Sequence, residues 1–147
     1  MIRVAGQAEV GRFPEEVWAF LMDPANQAAW QTSVVTTRRE PDEPTRLGTR
    51  YIETRRLFGK EFELTFEVVR FDPPRHSGIE LISGPIRGGA SYNLEAVASG
   101  TRLTFSARLD TGSFFRWAEP MLRNLFQREL DAYLQNLKKL VEHPAPV

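Results

Sequence analysis

Two hydrophobic periods divide this chain. From Ile2 to Leu109, apolar and polar residues mostly alternate, the period of half-buried strands, with one helical interruption. From Phe115 to His143 the period changes. Apolar residues fall at Phe115, Ala118, Leu122, Phe126, Leu130, Tyr133, Leu137 and Leu140, in steps of three or four. Arg116, Arg123, Gln127, Asp131, Gln135, Lys138 and Glu142 take the other side. This pattern predicts one long amphipathic helix, spanning roughly 40 Å at ~1.5 Å per residue. A strand of ~7 residues spans about 23 Å, so the helix can cross a whole sheet. Pro120 falls one turn inside it and either kinks the helix or marks its true start.

The first strand is read from Ile2, Val4, Ala8 and Val10 alternating with Arg3, Gln7 and Glu9. Pro14 suits the first turn of a helix, Glu15 and Glu16 suit its positive end, and Val17, Trp18, Phe20 and Leu21 supply an apolar face. Asp23-Pro24 ends that helix and can start a second short one through Trp30. Six further strands are expected near Ser33–Glu40, Thr49–Leu57, Glu61–Phe71, His76–Ser83, Gly89–Ala98 and Thr101–Leu109, divided by Pro/Gly turns. Short links favour antiparallel hairpins. The expected fold is α+β: a curved seven-stranded antiparallel sheet wrapped around a long C-terminal helix, with two short helices after the first strand. Residues 1–143 read as one domain and 144–147 as a flexible tail.

A two-residue turn at Phe58-Gly59 or Gly59-Lys60 puts Tyr51, Glu53 and Arg55 on one face with Phe62, Leu64 and Phe66. The other face then places Arg56 near Glu61 and Arg50 near Glu67, as suits solvated cross-strand pairs. The Phe/Leu/Phe face is therefore the inner one, and it carries Glu53 and Arg55 toward the interior. Burying unpaired charge is costly. Three readings stay open: the sheet rim, a polar anchor inside a cavity, and a catalytic acid or cation. Tyr92 and Phe105 also face inward from their alternating strands.

Composition narrows the function classes. Charge is balanced at 19 basic and 19 acidic residues, which gives no footprint for duplex nucleic acid. Cysteine is absent, which removes thiolate metal sites and thiol nucleophiles. No apolar run approaches the ~20 residues of a membrane span, and the alternating N-terminus reads as a strand, not a secretory signal. A cytoplasmic protein is expected. His76 and His143 lie far apart and no metal-ligand spacing appears; no Gly-x-Ser-x-Gly elbow exists. Gly84 to Gly89 matches no phosphate loop and reads as a flexible turn near a cavity mouth. No cofactor is expected.

Four segments carry a resemblance. They are Phe13-Pro14-Glu15-Glu16-Val17-Trp18-Ala19-Phe20-Leu21-Met22-Asp23-Pro24 followed by Trp30, Phe71-Asp72-Pro73-Pro74-Arg75, Gly100-Thr101-Arg102-Leu103-Thr104-Phe105, and Leu137-Lys138-Lys139-Leu140-Val141-Glu142. In this order they resemble the polyketide cyclase/dehydrase and lipid-transport family of the START-like (SRPBCC) superfamily, with its helix-grip fold. The resemblance implies an apolar cavity between sheet and long helix, and no shared catalytic set.

The leading expectation is a carrier or sensor of a small apolar molecule such as a lipid or polyketide. It would be a monomer or homodimer without stable membrane insertion. One alternative is a cyclase or dehydratase with Glu53 as base, Arg55 as oxyanion stabiliser and Tyr51 as proton donor. A second is a chaperone-type interaction module with an exposed patch. The expected lining is Trp30, Tyr51, Glu53, Arg55, Phe62 and Leu64, with Phe66, Tyr92, Phe105, Phe115, Leu122 and Phe126. On the long helix, Phe115, Ala118, Leu122 and Phe126 are expected to face the cavity. Leu130, Tyr133, Leu137 and Leu140 are expected to form plain core.

Overall fold

The structure, a computed structural model, describes residues 1–144 apart from the side chains at positions 114 and 115. The tail positions 145–147 lie outside the described residues. The order is β1 (Ile2–Val10), α1 (Pro14–Met22), a 3₁₀ turn (Pro24–Asn26) and α2 (Gln27–Trp30). Then come β2 (Val34–Glu40), β3 (Arg50–Leu57), β4 (Lys60–Asp72), β5 (His76–Ser83), β6 (Arg87–Val97) and β7 (Gly100–Asp110). A second 3₁₀ turn (Ser113–Ala118) leads into α3 (Glu119–Glu142). The strands form one antiparallel sheet in the order β1-β7-β6-β5-β4-β3-β2.

Local chemistry explains the helix boundaries. Pro14 opens α1 with Glu15 and Glu16 in its first turn. The Asp23 side chain accepts from the Ala25 amide at 3.0 Å, ending α1 and capping the following turn. Pro120 falls in the first turn of α3, so it marks the start of the helix and kinks nothing. The residues before it form the 3₁₀ turn instead.

The core lies between α3 and the β1, β6 and β7 end of the sheet. Leu134, Leu137 and Val141 of α3 pack with Ile2, Val4, Val10, Leu94 and Leu103, and with Val17 and Trp18 of α1. Leu134 and Val141 were absent from the expected apolar stripe. Gly6 permits the close approach of α3 to β1, since a Cβ there would lie 2.8 Å from Leu134 Cδ1. A bulge between Val68 and Arg70 shifts the β4 register. It leaves Val69 exposed and returns Phe71 inward, where it meets Trp18 at 5.6 Å.

Candidate functional site

The β3–β4 hairpin builds one wall of the site. Its two-residue turn has Phe58 at φ 52 and Gly59 at φ 77, the left-handed conformations that such a turn requires. The register pairs Tyr51 with Phe66, Glu53 with Leu64 and Arg55 with Phe62, so all six share the inner face. On the outer face Arg56 meets Glu61 at 3.2 Å and Arg50 meets Glu67 at 3.6 Å.

Glu53 is only 3% exposed, which corrects the reading that places it at the sheet rim. β3 is flanked by β2 and β4, and Gln31, just past α2, closes over it. The burial of charge is answered by pairing. Arg55 Nε donates to Glu53 Oε2 at 3.0 Å, and the Arg55 terminal nitrogen donates to Gln31 Oε1. Tyr51 shares a hydrogen bond with Thr45 Oγ1 and donates to the Met22 carbonyl at 3.4 Å. Burial pushes the Tyr51 hydroxyl above the usual tyrosine range, with Thr45 and Arg39 pulling partly back. Tyr92 is pushed up as well, again chiefly by burial.

The opposite wall comes from the middle of α3. Tyr133 donates to Ser33 Oγ at 2.7 Å. Glu129, one turn earlier, faces the cavity, and burial raises its carboxyl above the usual range, opposed by Arg55 and Tyr133. Between the walls is a cavity of about 170 Å³. It is comparable to the ~150 Å³ apolar cavity that admits a benzene-sized molecule. Ile79 and Leu81 of β5, Ala90 of β6, and Ala107 and Leu109 of β7 make its far side apolar. Trp30, Tyr92 and Phe105 cluster at its base with ring centroids 4.9–6.4 Å apart. The Trp30 indole N–H has no hydrogen-bond partner among the described residues.

Of the expected lining residues, Trp30, Tyr51, Glu53, Arg55, Leu64, Phe66, Tyr92, Phe105 and Phe126 border this cavity. Two do not. Phe62 lies at the outer end of β4, past Leu64, the last residue of that strand to reach the cavity. Leu122 is turned into the main core, beside Ala118. The Phe115 side chain lies outside the described residues. The division of α3 is also corrected: Leu130 and Tyr133, expected as plain core, border the cavity together with Glu129. Sequence reasoning missed Gln31 and Glu129. Glu129 had a usable signal, because it follows Phe126 by three residues and precedes Tyr133 by four, which puts it on their face. Gln31 had none.

Ile86, Gly88 and Gly89 border the cavity, which puts the glycine-rich segment at its edge. Trp117 of the second 3₁₀ turn and Met121 and Leu125 of α3 stand exposed. Among the described residues no cluster of three metal-ligating side chains occurs, and no helix is long and apolar enough to cross a membrane.

A seven-stranded sheet gripping a long helix over an apolar cavity is the helix-grip architecture of START-like proteins. The chain belongs to the family described as polyketide cyclase/dehydrase and lipid transport, whose model matches residues 1–142. Its structure is similar to that of TTHA0849 from Thermus thermophilus, with a TM-score of 0.83 at 16% identity over 98% of this chain and 99% of the other. It is also similar to a START superfamily protein from Mycobacterium smegmatis, with a TM-score of 0.79 at 14% identity over 97% and 99%. A conserved protein from Geobacillus kaustophilus gives 0.73 at 19% identity over 95% of each chain. At these identities the likeness concerns the fold. No curated protein matches the chain in sequence.

Proposed function

We propose that this protein binds a small apolar molecule, as carrier or sensor, in the cavity between the sheet and α3. The observation that supports this is the distribution of its lining. The β5–β7 side is mostly apolar, while Glu53, Arg55 and Gln31 stand at the β3 side and Glu129 faces the cavity from α3. A concave, mostly apolar site with a few convergent polar groups suits an amphiphile held in one orientation. The cyclase/dehydratase alternative has Tyr51, Glu53 and Arg55 around one cavity. It has weaker support, because Glu53 and Arg55 are engaged with each other and with Gln31.

Ala107→Leu tests the proposal. Ala107 borders the cavity opposite Ala90 on the neighbouring strand, so the larger side chain fills the space. Delipidated wild-type protein is expected to bind a small neutral apolar probe such as butylbenzene and to melt higher in its presence, by about 2–4 °C per kcal/mol of binding linkage. The variant is expected to lose both effects while keeping or raising its own melting temperature. Equal probe binding by the two proteins would refute the cavity as the site.

A further inference from the structure

We infer that the polar end of the bound molecule is an uncharged group that both accepts and donates hydrogen bonds, such as a hydroxyl or a carboxamide, held between Arg55 and Glu129. This deepens the proposed function and rests on the reading of the cavity as a ligand site.

The argument begins with the charges that border the cavity. They are Glu53, Arg55 and Glu129: two carboxylates for one guanidinium. Arg55 is ion-paired with Glu53 alone among the described residues. Its guanidinium has five N–H donors. One goes to Glu53 and one to Gln31. The side chain keeps 21% exposure, on a strand whose inner face borders the cavity, so donors remain for a further acceptor. Glu129 stands on the helix side of the same cavity and forms no ion pair among the described residues. The donor beside it is the Tyr133 hydroxyl, whose single proton also serves Ser33 Oγ, so the carboxylate keeps acceptor capacity, and the Arg55 charge acts on it.

A group placed between the two must therefore accept from Arg55 and donate to Glu129. A hydroxyl does both with one atom, and a carboxamide with two. A carboxylate satisfies Arg55 but brings a third negative charge into a poorly solvated space, where like charges repel strongly. An ammonium satisfies Glu129 but faces the Arg55 cation and leaves its spare donors unmet. Each mismatch leaves a partly buried group unpaired, which costs about tenfold in affinity. The remaining polar lining (Gln27, Thr37, Thr45, Ser77 and the tyrosines) is neutral and does not alter this balance.

Calorimetric titration of the full chain with octanol, octanamide, octanoate and octylamine tests the inference. The four share one chain and differ only at the head. At about pH 7.5 the last two are fully charged. Octanol and octanamide are expected to bind about tenfold more tightly than octanoate and octylamine. Glu129→Gln removes the second carboxylate, and is expected to bring octanoate level with octanol. Tightest binding by octanoate or octylamine would overturn the inference and leave the cavity reading standing. So would an octanoate deficit unchanged in Glu129→Gln. Failure of all four to bind would overturn both. The wild-type ranking decides the matter by itself if the variant does not fold.

Discussion

Glu142 Oε2 accepts from the Gly11 amide at 2.6 Å and from Lys138 Nζ at 2.8 Å. Lys138, and after it the Gly11 amide, hold its carboxyl below the usual carboxylate range. Glu129 on the same helix is displaced the other way, by burial. The two should answer pH with opposite signs. A depressed folded-state pKa stabilises above the unfolded value and loses that stabilisation as pH falls through the folded one. A raised pKa imposes no penalty below the unfolded value and a growing one as pH rises through the folded value. At neutral pH, Glu142→Gln should therefore melt lower than wild type and Glu129→Gln higher. The Glu129 difference should close as pH falls below the ordinary carboxylate range, and the Glu142 difference only at still lower pH, below its depressed folded-state value. Calorimetric scans across that interval check this, and offsets independent of pH would contradict it.

At the scale of elements, much was legible from the alternating pattern. The strands of the hairpin, its inner face and its two outer ion pairs follow from parity, because one face is wet and one dry. The bulge beside Val69 was not legible, since strict alternation carries Phe71 outward. The cavity lining was legible only in part. Parity says that Phe62 faces inward, and helical period says that Leu122 does, but where space remains depends on how the sheet bends and where the helix rests. The close contact of β1 and α3 at Gly6 is a related case, invisible until the two elements are placed. Gly6→Ala should cost about 1–3 kcal/mol by overpacking against Leu134. In a Leu134→Ala background that added cost should shrink, as coupled neighbours require. Urea unfolding of the single and double variants measures it, and simple additivity would contradict the contact.

For the molecule as a whole, α3 does more than cover the sheet. It also closes the open side of β1, an edge strand. Gln127 accepts from the Ala5 amide at 3.4 Å and donates to the Ala5 carbonyl at 2.8 Å, much as another strand would. Lys138 donates to the Glu9 carbonyl at 2.5 Å. Exposed edges invite pairing with a second chain, and these side chains occupy three of the groups that would do so, the Ala5 amide and carbonyl and the Glu9 carbonyl. Gln127→Leu should lose about 0.5–1.5 kcal/mol of stability and should associate at concentrations where the wild type does not associate further. Sedimentation at rising concentration tests this. Unchanged association would show that the edge is protected by other means.

The two-residue turn at Phe58 and Gly59 constrains how this hairpin can diversify. Every side chain of β3 and β4 up to the bulge owes its face to the parity of that turn. Insertion of one residue there reverses one strand against the other: either β3 turns Arg50 and Arg56 into the cavity wall and Glu53 into water, or β4 turns Glu63 inward and Leu64 and Phe66 out. Insertion of two residues restores every face and lengthens only the tip. Descendants of this sequence should therefore vary the hairpin in even steps, and a library of random insertions at this turn should return folded members of even length alone.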